Sequence, residues 1–257
     1  TFWDLALVGV SPKAIGTLLA VPTTPTTEAL RRHPHLGDPC PRGWIRVDFH
    51  SHTMWSGDST TTPDEILESV AAAGIDVLCV TDHNSIKGAI ELNESLPCRV
   101  VVGEELKTHA GEIIGLFLKE RIPQGIRPKD AAKNLRDQGG LVYIPHPFDP
   151  LRNNLRREVL DELVNNDLVD GIEILNGKTS LRSLNEKASV YASKHDLAIG
   201  AGSDAHVAEA IGAAYLEMPD FDGPKDFLSS MRLGRAVGHH YDPPRRWRPR
   251  IVPSTAD

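Results

Sequence analysis

Short apolar runs alternate with segments that carry helix signals from residue 44 onward. Seven of these runs predict strands, because each is short, mostly apolar and bounded by polar or turn residues. The predicted strands are 45–49, 77–81, 99–105, 113–118, 141–145, 171–175 and 198–203. The predicted helices are 63–73, 86–95, 128–138, 155–165 and 181–195, and the pattern allows a further strand at 213–218 and a last helix at 224–233. This order predicts an α/β fold, either a parallel barrel or a doubly wound sheet.

The two ends of the chain have a different character. In residues 1–43, a run at Leu5–Val10 suits a strand and 12–19 suits a short helix, and a proline-rich connector follows. We interpret 1–43 as an N-terminal extension packed on the main domain, which spans 44–240. His33 and His35 share a His-x-His spacing, but no strand precedes them, which disfavours a metal site there. Residues 241–257 form a tail rich in proline and arginine, for which solvation is a simpler explanation than nucleic-acid binding.

Potential metal ligands follow the predicted strands where each strand ends. His50 and His52 are spaced i, i+2 at the end of the first strand, which puts both imidazoles on one side. Later strand ends supply further acids and imidazoles: Asp82, His83, Glu104, Glu105, His146, Asp204 and His206. Ligands from so many strands favour a closed barrel, where all carboxyl ends face one cup.

Composition narrows the class of protein. The 257 residues are 40% hydrophobic and 25% charged, as in ordinary globular proteins, and the net charge of −7 argues against a surface that coats nucleic acid. No apolar run is long enough for a membrane span. The three cysteines form no paired metal-binding motif and suit reduced thiols. We therefore expect a cytoplasmic protein with neither a membrane nor a nucleic-acid partner.

Five motifs, in order, resemble those of the PHP (polymerase and histidinol phosphatase) metallohydrolase family. They are His50-Ser51-His52 with Ser56-Gly57-Asp58, Thr81-Asp82-His83, Gly103-Glu104-Glu105, Ile144-Pro145-His146-Pro147 and Gly202-Ser203-Asp204-Ala205-His206. The resemblance covers roughly residues 44–240. It implies a distorted (β/α)7 barrel that holds up to three metal ions.

The resemblance also implies a role for each motif residue. His50, His52 and Asp204 would hold a first metal, Glu105 would bridge it to a second, and His146 would bind the second. A third metal would be held by Asp58, His83 and His206, although Asp58 lies one residue later than the family pattern because of Gly57. We expect Asp204 and His206 to take part in catalysis.

One position departs from the family pattern. The family often has a histidine before the fourth strand, where this chain has Glu112. Glu112 is the favoured substitute ligand because it directly precedes the apolar run, and His109, three residues earlier, is the alternative.

The donor set of five imidazoles and four carboxylates, without a thiolate, suits two or three divalent ions of Mn, Fe or Zn. Such ions would leave a positive excess in the cup, which suits an anionic substrate. We therefore expect a phosphoric ester hydrolase in which a metal-bound hydroxide attacks a small phosphorylated molecule. The alternatives are hydrolysis of a cyclic phosphodiester or a carbamate, and a proofreading module associated with nucleic acid.

The sequence leaves the roles of several neighbouring residues undecided. Asp82 is expected to have a structural role, for example orienting an imidazole, rather than to bind metal. Glu104 is expected to face solvent or a layer behind the ligands, because neighbours on a strand face opposite sides. Glu173 and Asn176 end a strand, and the sequence pattern does not decide whether their side chains face the cup. Four cations follow candidate strands and are potential phosphate contacts: Arg152, Arg156, Arg157 and Lys178.

Overall fold

The computed structural model describes residues 24–96, 98–179 and 181–244. The strands are β1 Trp44–Ser51, β2 Val77–Val80, β3 Arg99–Thr108, β4 Gly111–Leu116, β5 Leu141–Ile144, β6 Gly171–Asn176, β7 Ala198–Gly202, β8 Ala214–Pro219 and β9 Arg235–Gly238. The α-helices are α1 Thr27–Arg32, α2 Pro63–Ala73, α3 Lys87–Ser95, α4 Pro128–Asp137, α5 Arg157–Asn165, α6 Arg182–Lys194 and α7 Gly223–Met231. Two 3-10 turns are Pro34–Gly37 and Ala208–Ala210. The predicted N-terminal strand and helix and the arginine-rich end of the tail lie outside the described residues.

All these strands form one sheet in the order β7-β6-β5-β4-β3-β2-β1-β8-β9. Its two arms meet where the end of β1 approaches the segment after β7: Asp204 N donates to His50 O at 2.7 Å, and His52 N donates to Ala205 O at 2.9 Å. The segment β1–β7 is therefore a nearly closed barrel, which confirms the predicted fold class. The barrel is distorted because β4 runs antiparallel to both β3 and β5.

Local sequence signals explain the helix positions. Thr62 and Glu65 form a reciprocal capping box at the start of α2, and Gly74 ends that helix in the left-handed conformation, with φ 65°. The expected bounds of α2 to α7 agree with the observed ones to within two residues. None of the helices in the described ranges is long and apolar enough to cross a membrane.

The barrel interior is filled at one end by apolar side chains and left polar at the other. Val47, Phe49, Tyr143 and Leu216 belong to one buried cluster, and Phe227 of α7 packs on Phe49 with ring centroids 5.1 Å apart. Two other buried clusters lie between the sheet and the surrounding helices. The carboxyl ends of the parallel strands therefore form a polar cup.

The described part of the N-terminal region packs on this barrel. Thr26 N donates to Ala72 O of α2, and the buried Arg46 donates to the carbonyl oxygens of Leu36 and Asp38. His33 and His35 have structural hydrogen bonds, since His33 contacts Glu209 O and His239 while His35 contacts Gly212 O, each at 3.0 Å. The division into extension, barrel and tail stays a prediction.

Candidate metal centre

The nine side chains predicted as ligands lie together in the polar cup. Each comes from the end of a barrel strand or from the loop that follows it, as the sequence pattern indicates. They are His50, His52, Asp58, His83, Glu105, Glu112, His146, Asp204 and His206, and all except Asp58 and His83 are buried. Residues from distant parts of the chain thus meet at one place because the barrel closes.

A β-bulge in β1 aims the first two imidazoles. The register of β1 against β2 shifts by one residue between Asp48 and Ser51. Phe49 therefore packs in the interior cluster, and His50, which directly follows it, also points into the cup. Regular alternation would have put Phe49 and His50 on opposite faces, so the bulge is what turns His50 and His52 into the cup.

Four overlapping groups of ligand atoms are compact enough to hold an ion, since the atoms of each group lie within 4.8 Å of one another. The groups are His50–His146–Asp204, His50–His52–Glu105, His83–Glu105–Glu112 and His52–Asp58–His83–His206. Their shared members join them into one continuous centre.

Glu105 lies at the middle of the centre. Its Oε2 is 3.3 Å from His50 Nε2, 3.2 Å from His52 Nε2 and 3.3 Å from His83 Nδ1, and its Oε1 is 2.9 Å from His146 Nε2. One carboxylate thus faces four imidazoles from three strand ends. The geometry agrees with the bridging role that the resemblance implies, which stays a proposal.

The structure distinguishes Glu112 from His109 as the candidate ligand before the fourth strand. Glu112 is buried, with Oε1 3.9 Å from His83 Nδ1 and Oε2 4.0 Å from His146 Nε2. His109 lies at the exposed tip of the β3–β4 hairpin and belongs to none of the four ligand groups. The geometry therefore favours Glu112.

Asp58 reaches the centre despite the extra residue before it. Its Oδ2 is 2.9 Å from His206 Nε2 and 3.5 Å from His83 Nε2, while Oδ1 accepts from Ser56 Oγ. The loop after β1 therefore absorbs Gly57 without moving the carboxylate out of reach.

Glu173 and Asn176 of β6 face the cup, which the sequence pattern alone left undecided. Glu173 Oε1 is 3.3 Å from His50 Nδ1, and its Oε2 accepts from His146 N at 2.8 Å. Asn176 Nδ2 donates to Glu173 Oε2 and to Asp204 Oδ2. The two side chains thus orient candidate ligands from β1, β5 and β7.

Asp82 and Glu104 have structural roles. Asp82 accepts from both N and Oγ1 of Thr53 at 2.6 Å, which fixes the loop after β1; its partner is Thr53 and not an imidazole. Glu104 faces away from the cup, is fully buried and accepts from Ile122 N at 2.8 Å. Burial raises the pKa of Glu104 to about 7.

The electrostatics of the cup suit cations. Burial acts against a charge on His50, but the carboxylates of Asp204, Glu105 and Glu173 raise its pKa well above the ordinary value. Burial and the nearby His206 lower the pKa of His52 well below that value, although the Nε2 atoms of His50 and His52 are 3.1 Å apart. The pKa values of these two neighbouring imidazoles are therefore shifted in opposite directions.

The donor atoms fit divalent ions. Glu105 and Asp204 stay ionised: burial opposes this, but the surrounding cationic groups hold both pKa values well below the ordinary range. In the described part of the chain, the buried His146 Nδ1 has no hydrogen-bond partner. Converging nitrogen and oxygen atoms with excess negative charge are what a divalent ion requires.

Two cations border the centre at Asp204. Lys178 Nζ is 3.5 Å from Asp204 Oδ1 and 2.8 Å from His206 Nδ1, and Arg152 lies 3.5 Å from Asp204 Oδ2. Arg157 instead pairs with Asp161 on the outer surface. Of the four cations noted in the sequence, Arg152 and Lys178 are therefore at the cup.

Comparisons with known proteins show similarity to one family over most of the chain. Residues 48–127 match the family model of the PHP domain, and 182–236 match the model described as PHP-associated. An uncharacterized protein of Methanocaldococcus jannaschii is 36% identical over 198 residues, which cover 74% of this chain and 80% of that protein. A second protein of that organism is 39% identical over 145 residues, which cover 51% of this chain and 82% of that protein.

A solved structure shares the fold. It is a two-domain protein from Bacteroides vulgatus, described as containing a predicted PHP-like metal-dependent phosphoesterase. The TM-score is 0.62 at 21% identity, with 78% of this chain and 67% of that one covered. With the matched family models and the extent of the archaeal relatives, this shows that the chain belongs to the PHP family.

Proposed function

We propose that this protein is a metal-dependent phosphoesterase that hydrolyses a small-molecule phosphate ester. The observation that carries the proposal is the continuous centre around Glu105, in which four compact ligand groups share members. A carboxylate shared between groups is suited to hold two ions close together. The description of the Bacteroides vulgatus protein as containing a PHP-like metal-dependent phosphoesterase supports the same class of reaction.

We assign the nine clustered side chains as the ligands of two or three divalent ions of Mn, Fe or Zn. Such ions, when bound, polarise a phosphoryl group and make water a stronger nucleophile at neutral pH. Glu173 and Asn176 keep the ligands in place through the hydrogen bonds described above. The protein thus supplies a rigid, buried and negatively charged ligand shell.

Asp204 is the side chain proposed to accept a proton during hydrolysis. It is buried and ionised, and it lies at the edge of the centre where Arg152 and Lys178 approach. The two cations add positive charge beside it, which suits the oxygens of an anionic phosphoryl group. His206 lies beside the same edge, where its Nδ1 contacts Lys178 and its Nε2 contacts Asp58.

The proposal is tested by a substrate screen. Metal-free protein is loaded separately with Mn, Fe or Zn and assayed on phosphomonoesters, phosphodiesters and carbamates. We expect the highest kcat/KM on a phosphate ester with at least one of the metals. Turnover of carbamates alone would overturn the proposal.

A pair of matched variants separates the centre from contaminating phosphatase. Glu105→Gln removes the charge that faces four imidazoles, so both metal content and turnover should fall to background. Glu120→Gln makes the same change on the exposed surface and should leave both unchanged. Equal turnover in the two variants would contradict the assignment of the site.

A further inference from the structure

A cleft of about 460 Å³ opens beside the metal centre, between the tip of the β3–β4 hairpin and the loop before α5. Its volume is in the range of small-molecule sites. The side chains that give it its character are Lys107, His109, Gln124, Asn153, Asn154 and Arg156. None of these residues belongs to the proposed ligand set.

The lining of the cleft is linked to the centre through Glu112. Lys107 follows Glu105 by two residues and is paired directly with Glu112 across the antiparallel ladder. Side chains at such positions share one face of the sheet, so Lys107 lies on the face that carries both proposed ligands. Asn153 forms the opposite connection, since its Nδ2 donates to Glu112 Oε1 at 3.3 Å and its carbonyl accepts from Glu112 N at 2.9 Å.

The charge of the cleft contrasts with that of the whole chain. Its lining contains two cations, one histidine and three side-chain amides but no carboxylate, although the chain carries a net charge of −7. Over the ranges that the structure describes, neither Lys107 nor Arg156 forms an ion pair, whereas the next residue, Arg157, pairs with Asp161. Lys107 and Arg156 are both exposed, so their charges are available to a ligand.

We propose that this cleft binds a second anionic group, a carboxylate, on the alcohol portion of the substrate. The inference rests on the proposed phosphoesterase function: the reacting phosphoryl group would occupy the metal centre while the rest of the molecule extends past Glu112. Lys107 and Arg156 would contact the second anion, and the amides of Gln124, Asn153 and Asn154 would hydrogen-bond the polar remainder. The substrate class is therefore a small phosphate ester that carries another negative charge.

The test uses a series of phosphorylated hydroxy acids of increasing chain length, each matched with its neutral amide. We expect kcat/KM of the best acid to exceed that of its amide by at least about tenfold, as a charge-assisted contact allows. The variant Lys107→Ala/Arg156→Ala should lose this preference. The control Arg31→Ala/Lys133→Ala removes the same amount of positive charge from exposed positions elsewhere, and it should keep the preference for the acid over the amide.

Calorimetry with the matching non-hydrolysable phosphonates gives a second readout that does not need turnover. Tighter binding of the carboxylated phosphonate than of its amide, lost in Lys107→Ala/Arg156→Ala, would support the cleft even if no ester were hydrolysed. Hydrolysis of acids and amides at equal kcat/KM throughout the series would overturn the cleft proposal and leave the phosphoesterase function standing. A preference that survives in Lys107→Ala/Arg156→Ala would also overturn it.

Discussion

Replacing Asp204 by asparagine tests the proposed chemistry most directly. The change keeps the shape of the side chain and removes its charge and its basicity. Asparagine also tolerates the left-handed backbone of this position, where φ is 51°. The variant should therefore fold, and a loss of rate can be attributed to the carboxylate.

The expected magnitudes follow from the contacts of Asp204. Its oxygens lie 3.5 Å from Lys178 Nζ and Arg152, and one accepts from Asn176 Nδ2 at 3.2 Å. The amide oxygen of asparagine can still accept one of these bonds, so the free energy of unfolding should fall by at most about 3 kcal/mol. Losing the proton acceptor should lower turnover by at least about 10²-fold, equivalent to about 2.7 kcal/mol in activation free energy.

The assay combines three measurements on wild type and variant: turnover of the best phosphate ester, metal content by elemental analysis, and unfolding by circular dichroism. Asp196→Asn is the matched control, because Asp196 has the same φ of 51° but lies on the surface. Wild-type turnover by a folded Asp204→Asn protein would refute the role of Asp204 in the reaction. Loss of folding in both variants would instead show that the loss of turnover comes from the strain of asparagine at a φ of 51°.

The remaining predictions concern metal binding and pH. Purified protein should carry two or three transition-metal ions per chain, and elemental analysis after metal-replete expression that finds less than one ion would contradict the centre. Glu112→Gln should weaken metal retention during dialysis against a chelator, whereas His109→Ala should retain metal like wild type; the reverse result would exchange their roles. The folded-state pKa of Glu104, about 7, is above its ordinary value of 4.5. Its burial therefore disfavours the ionised form, and the free energy of unfolding should fall by up to about 3 kcal/mol as pH rises from 4.5 to 7. Urea unfolding of Glu104→Gln should lack this part of the pH dependence, and an identical pH profile in wild type and variant would exclude it.

Much of the fold follows from local sequence signals. The alternation of apolar runs with helical segments predicted α2 to α7 closely, and a cap signal added to this for α2. His50, Glu105 and His146 were found because they follow apolar runs. The strand β9 was missed, because Arg235–Gly238 is short, partly exposed and without alternation. The predicted third strand ended at Glu105, whereas β3 continues to Thr108 in its ladder with β4.

The geometry of the site depends on long-range contacts that periodicity does not encode. The bulge that turns both Phe49 and His50 inward depends on pairing with β2, and strict alternation gives no sign of it. The role of Glu173 depends on the closure of the barrel, which brings β6 near β1. Its position in the strand therefore could not decide whether the side chain faces into or away from the cup. Asp82 has a structural role rather than a ligand position, as expected, but its partner is the backbone and hydroxyl of Thr53 and not an imidazole, and this contact depends on the fold of the loop after β1.

The backbone at His146 and Asp204 has a further consequence. Both residues have positive φ, 29° and 51°, a conformation that glycine and asparagine adopt readily but that costs most other residues about 1 kcal/mol or more. His146 also buries a ring nitrogen without a hydrogen-bond partner in the described structure. Selection for thermal stability alone, without metal, should therefore introduce glycine or asparagine at 146 and 204 before it changes the other seven positions. In a relative that keeps the barrel but no longer needs hydrolysis, replacement of His146 and Asp204 should therefore be the first change that raises the free energy of unfolding.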